Sequence, residues 1–156
     1  MVIKKGRDTF EKTINVTYRN NAGLNHEDRK FQHETVMKLF NMTEELAYMV
    51  YTIDEIISNE NIDNQISLKL NELKKSLVIT TGDNYVGAAK KQLREKMSDL
   101  YSKVASSYDK PSANELENLA LIENEMKSAN KRYGKILKKV DSEFMPEKSF
   151  EDFINE

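Results

Sequence analysis

The 156 residues contain no cysteine and no tryptophan, and only two prolines and five glycines. Without cysteine there is no disulfide, no thiolate metal site and no thiol nucleophile. So few helix breakers leave long uninterrupted segments, which suit a helical protein better than a turn-rich β fold. Long apolar runs are missing as well, so no segment is expected to span a membrane. Residues 1–21 lack the apolar stretch of a secretory signal, so an exported form would carry its signal outside this sequence. An excess of one charge is also absent. Lys and Arg total 24 against 26 Asp and Glu, a net charge of −2, which argues against a general nucleic-acid binder.

Helical periodicity is plentiful. Thr35, Leu39, Met42, Leu46, Met49, Ile53 and Ile56 recur at spacings of 4, 3, 4, 3, 4 and 3. That rhythm aligns seven side chains along one seam of a helix. Val36, Phe40, Ala47, Val50, Tyr51 and Ile57 widen the seam into a face that calls for burial. The spacing predicts a first helix from about residue 25 to 58, capped by Asn25 with Glu27 and Asp28 near its positive end. A second helix is expected over 62–79, with Ile66, Leu70, Leu73 and Leu77 on one face. Thr80 to Asp83 reads as a turn, with Asp83 or Asn84 capping a third helix that runs to about Tyr108. Its apolar positions are Val86, Ala89, Leu93, Met97, Leu100 and Val104. Pro111 stops it, and Ser112-Ala113-Asn114-Glu115 is a capping box opening a fourth helix with Leu116, Leu119, Ile122, Met126, Tyr133, Leu137 and Val140. A last short turn over 149–154 carries Phe150 and Phe153.

Upstream, Lys5-Gly6-Arg7-Asp8 suits a tight turn, and Ile14, Val16 and Tyr18 alternate with polar residues. Residues 1–21 are therefore read as a β-hairpin. A lone hairpin is marginal in water, so it either lies on the helices or ends a preceding β-domain, the second reading being preferred. Short connections favour antiparallel neighbours. The expected fold is mainly α, an antiparallel up-down-up-down four-helix bundle over 25–156 behind a short N-terminal β-hairpin.

Sites of chemistry are harder to find. His26 and His33 stand two turns apart on one helix, about 10 Å along its axis, too far for one metal ion, and neither has a Glu three residues earlier. There is no Gly-x-Ser-x-Gly elbow and no glycine-rich phosphate loop. Adjacent acids such as Glu44-Glu45 and Asp54-Glu55 point to different sides of a helix and read as solvated surface. The seven tyrosines and seven methionines read as boundary and gap-filling residues. No catalytic, cofactor-binding or metal-ligating residue is assigned, and the chain is not expected to be an enzyme.

Charge placement is more informative. The fourth helix begins with Glu115, Glu117, Glu123 and Glu125 and ends with Lys127, Lys131, Arg132, Lys135, Lys138 and Lys139, an order that complements the helix dipole. The third helix breaks that rule with Lys90, Lys91 and Arg94 near its start. In an alternating bundle these would meet Lys74 and Lys75, at the end of the second helix, and Lys135, Lys138 and Lys139. The eight cations make a candidate anion-binding basic end. Asp54, Glu55, Glu60, Asp63, Glu115 and Glu117 would make the opposite end acidic. The acidic C-terminal stretch is expected to dock on the basic end through Phe150 and Phe153.

Several segments share one further pattern. Leu93-Arg94-Glu95-Lys96-Met97-Ser98-Asp99-Leu100-Tyr101-Ser102-Lys103-Val104, followed by Asp109-Lys110-Pro111-Ser112, resembles the C-terminal helical region of bacterial sortilin-like, BNR-repeat β-propeller proteins labelled glycosyl hydrolases. In that family a Leu-Tyr-x-x-Val segment precedes Asp, a short gap and Pro-Thr, where this chain has Pro111-Ser112. Lys5-Gly6-Arg7-Asp8-Thr9-Phe10 is similar to the last hairpin of the family, and Asp28-Arg29-Lys30-Phe31-Gln32 to the start of its first long helix. The family's glycine-rich stretch between the first helices is absent, since residues 58–84 read as helical. The resemblance implies a non-catalytic accessory piece at the end of a large exported protein, extracytoplasmic, whose partners are the preceding domains of that chain or another protein. The alternative is a free-standing cytoplasmic helical protein that binds a protein partner, or nucleic acid at its basic end.

Overall fold

The computed structural model describes residues 2–5, 8–15, 25–78 and 90–155. Strands β1 (Val2–Lys5) and β2 (Asp8–Glu11) pair antiparallel, with Val2 opposite Glu11 and Lys5 opposite Asp8. The expected turn at Gly6-Arg7 and the alternating Val16 and Tyr18 lie outside the described residues. Residues 12–15 carry no strand pairing, so β2 stops short of the expected extension, and Phe10 and Ile14 are exposed.

Helix α1 (His26–Ser58) is 33 residues long, about 50 Å at 1.5 Å per residue. Asn25 caps it, its side chain accepting from the Glu27 N–H at 3.0 Å. Helix α2 (Asn64–Leu77) starts at Asp63, whose carboxylate accepts from the Gln65 and Ile66 N–H groups. Helix α3 covers Leu93–Ser106, and α4 covers Ala113–Leu137. The Ser112 capping box forms as expected, with reciprocal Ser112–Glu115 bonds. A 3-10 turn (Ser142–Phe144) and α5 (Phe150–Ile154) complete the chain.

The seam on α1 is buried as its spacing requires. Leu39, Leu46, Met49, Ile53 and Ile56 join Thr35 in the interior, and Met42 is half-buried. Leu70, Leu73 and Leu77 meet them from α2, Leu93, Met97, Leu100 and Val104 from α3, and Leu119, Ile122, Met126 and Ala129 from α4. Each buried Leu, Ile, Val or Met side chain contributes roughly 1.5–3 kcal/mol on removal from water. The second line on α1 is less covered than expected, with Phe40 and Ala47 exposed.

The protein is thus a mainly helical bundle, with four long helices among the described residues and a pair of N-terminal antiparallel strands. Its helix directions differ from simple alternation. Gln32 and Arg29, near the start of α1, bond to Val104 and Ser107 at the end of α3, and Thr43 meets Met97, so α1 and α3 are antiparallel. Lys38 pairs with Glu123, and Tyr48 and Met49 face Asn130 and Tyr133, so α1 and α4 are parallel. Ser76 and Leu77 lie beside Glu125–Ala129, and Ile66–Glu72 beside Arg132–Lys139, so α2 is antiparallel to α4. It follows that α2 and α3 run in the same sense, Leu77 of one approaching Leu93 of the other.

The alternating order required a tight reversal between the second and third helices. Fifteen residues, 78–92, separate α2 from α3 instead. The third helix begins at Leu93 rather than near residue 84, and residues 90–92 are not helical. Val86 and Ala89 lie outside the described residues, as does the expected turn at Thr80–Asp83. Together α2 and α3 supply 14 and 14 residues, close to the span of α1, so both can stack end to end along it. Counting the described long helices, each cross-section therefore holds three rods rather than four: α1, α4 and either α2 or α3.

Candidate anion-binding groove

The direction of α3 decides where the eight cations lie. The end of α2 does meet the start of α3, but at the waist of α4, near Glu125–Arg132, not at its end. Lys74, Lys75, Lys90, Lys91 and Arg94 therefore sit on the waist side, apart from Lys135, Lys138 and Lys139. Three of the waist cations are already engaged. Lys74 reaches Asp54 at 2.5 Å, Arg94 holds Glu95 at 2.7 Å, and Lys91 pairs with Asp99. Lys75 and Lys90 are exposed. The structure does not gather the eight into one site. The acids are divided likewise, because Glu115 and Glu117 open α4 beside the end of α3, while Asp54, Glu60 and Asp63 lie at the α1–α2 junction.

The other three cations enter a different constellation. Where α4 runs past α2, Arg132, Lys135, Ile136, Lys138 and Lys139 face Ile66, Lys69 and Glu72 across a groove of about 640 Å³. Helical spacing explains the α4 wall: positions 132, 135, 136 and 139 share one face. Ile66, Lys69 and Glu72 follow the same rule on α2. Ile66 and Ile136 are half-buried and form an apolar floor, while all five cations and Glu72 are exposed. None of the five cations makes an ion pair with a described residue. Five basic groups around one carboxylate leave a strongly positive rim, worth most at low ionic strength.

Lys69, Glu72 and Arg132 were not among the sequence-derived site residues. Their spacing on each helix was visible, but which face of α2 meets α4 depends on the helix directions.

The acidic tail does not cover this groove. No described tail carboxylate pairs with its cations. Phe150 and Phe153 do dock, but on α1. Tyr48 meets both rings edge-on, at 5.4 and 5.5 Å between centroids, and Tyr51 stacks on Phe153 at 5.2 Å. The Tyr48 hydroxyl donates to the Lys148 carbonyl at 3.0 Å. Aromatic packing places the tail, and the charge assistance expected from the basic end does not.

Among the described residues, two ionisable groups depart from their ordinary behaviour. Burial pushes the Tyr133 phenol up, against the Thr52 hydroxyl, which lowers it, and with the Tyr48 phenol adding to the rise. The Glu115 carboxyl is held below its usual value, first by the Ser112 backbone N–H and then by the Ser112 hydroxyl; slight burial opposes this and Lys103 assists it. Both shifts follow from structural roles, a boundary tyrosine and a helix cap. His26 and His33 are exposed on α1, and no cluster of three or more His, Asp or Glu able to hold a metal occurs among the described residues. No helix among the described residues is long and apolar enough to cross a membrane.

The chain matches no protein-family model, and no curated protein or solved structure shows significant similarity to it.

Proposed function

We propose that this chain is a non-catalytic interaction domain whose contact surface is the groove between α2 and α4. The observation that carries the reading is five exposed cations without ion partners among the described residues, set around the apolar floor of Ile66 and Ile136. By contrast, Lys38, Lys74, Lys91, Arg94 and Lys96 each pair with a carboxylate within the fold. A rim left charged beside half-buried apolar side chains suits a surface completed by something else.

The resemblance to the helical region of BNR-repeat propeller proteins agrees with an accessory role. In that setting the chain is the C-terminal part of a larger exported protein, and the groove meets its preceding domains or a separate protein. In a free-standing cytoplasmic protein the same groove serves a protein partner.

Lysine footprinting tests the reading. The native protein in extract of its own cells and the isolated chain are acetylated under limiting reagent. The expected result is slower modification of Lys69, Lys135, Lys138 and Lys139 in the extract, with Lys75 and Lys90 unchanged. Equal rates at the groove lysines in both samples would refute the groove as the contact surface.

A further inference from the structure

Resting on that reading, we infer that the groove takes an acidic amphipathic helix from a protein partner, about two turns of which lie between α2 and α4. Three features point to this occupant. First, the groove runs along two antiparallel helices, and the shape that fits such a channel is a third helix packing into it. Among the described residues α3 stacks in line with α2 rather than beside it, so no further long helix lines the groove. The walls from Ile66 to Glu72 and from Arg132 to Lys139 extend about 10 Å, close to two helical turns.

Second, the floor is apolar. Ile66 and Ile136, with the aliphatic stems of Lys69 and Lys135, present surface that a phosphate backbone cannot cover and that an apolar stripe can. Third, the charge is mixed. Glu72 stands among the cations and repels a polyanion that must lie along the whole groove. A helix answers both signs at once, with carboxylates opposite Arg132, Lys138 and Lys139 and a neutral or basic residue opposite Glu72. This arrangement favours a peptide over nucleic acid, in keeping with the net charge of −2.

The test uses a fluorescently tagged synthetic peptide with Leu at positions i, i+3, i+4 and i+7 and Glu on its flanks. Fluorescence anisotropy compares it with a same-composition peptide whose stripe is scrambled, with polyglutamate, and with a single-stranded RNA oligomer. The striped peptide should bind about tenfold more tightly than the scrambled one and than either polyanion. Lys135→Glu with Lys138→Glu should weaken it by about tenfold or more, and Ile136→Ser should weaken the striped peptide far more than polyglutamate. Circular dichroism checks that each variant remains helical, and the exposed lysine pair preserves the test if the Ile136 variant unfolds. Equal binding of striped and scrambled peptides, tighter binding of RNA, or a dimer of the chain that the lysine reversal dissociates overturns the acidic-helix occupant and leaves the groove as the contact surface. Binding of every probe unchanged by the reversal, together with unprotected groove lysines in the footprint, overturns both.

Discussion

Replacing Gln32 by Met should cost roughly 1–2 kcal/mol, and the reason lies at the end of α3. The last carbonyls of a helix have no partner within it. Val104 receives one weak bond from the Ser107 N–H at 3.3 Å. Its stronger donor comes from another helix: the Gln32 amide reaches the Val104 oxygen at 2.7 Å, with only 5% of Gln32 exposed. Arg29 does the same for the Ser107 carbonyl at 3.1 Å, with its guanidinium 5.1 Å from the Tyr108 ring centre. Gln32→Met keeps the length of the side chain and removes the donor. Orphaning a buried acceptor costs about 1–3 kcal/mol, and the residual Ser107 bond puts this case in the lower half of that range. In a domain of this size a change of 1–2 kcal/mol lowers the melting temperature by roughly 3–6 °C. Urea unfolding with an unchanged m-value measures it directly. A loss under about 0.3 kcal/mol, within the scatter of ordinary surface changes, would show that the bond does not cap α3.

Gln32→Glu sharpens the test. A carboxylate here is buried and faces a carbonyl oxygen, so its folded pKa should rise above the unfolded value of about 4.3. The variant's stability is then fully present below that value and is lost as pH rises through the folded pKa. Its deficit should be small at acid pH and should grow toward neutrality. A deficit independent of pH contradicts a dry site.

Other consequences are quickly checked. The Glu115 carboxyl is lowered by its Ser112 bonds, so its contribution is present above the ordinary carboxylate value and lost as pH falls through the folded pKa. Glu115→Gln should flatten the acid limb of the stability curve, and an unaltered limb argues against the cap. The Tyr133 phenol is raised by burial, so folding favours its neutral form and loses stability as pH climbs through its folded pKa. Absorbance titration should show a late-ionising component that Tyr133→Phe diminishes, and an unchanged late component refutes the assignment. Phe153→Ala deletes ring contacts with Tyr48 and Tyr51, each pair worth about 0.5–1.5 kcal/mol beyond its buried area. Tryptic cleavage after Lys148 should then speed up roughly tenfold, since local opening governs access. An unchanged cleavage rate means that these contacts do not hold the tail.

Much of the bundle was legible in the chain itself. The seam from Thr35 to Ile56, the apolar lines through Leu70 and Leu73 or Leu100 and Val104, and the Ser112 capping box are local patterns. Each depends on neighbours three or four residues away, and each forms as written. The groove was only half legible. The spacing of Lys135, Ile136 and Lys139 declares one basic wall, but nothing near it declares which helix faces it.

What only the tertiary structure decided was direction. Periodicity says that a helix has a face to bury; it does not say which way along the bundle that helix runs, because an apolar stripe packs well either way. A tight turn would have settled the matter locally, and 78–92 is too long to do so. Because α4 runs antiparallel to α2, Lys135, Lys138 and Lys139 come to face Ile66. Gln32 likewise reads as an ordinary polar helix residue until α3 ends against it. Its role is fixed by a contact 72 residues away in the chain, beyond the reach of any local pattern.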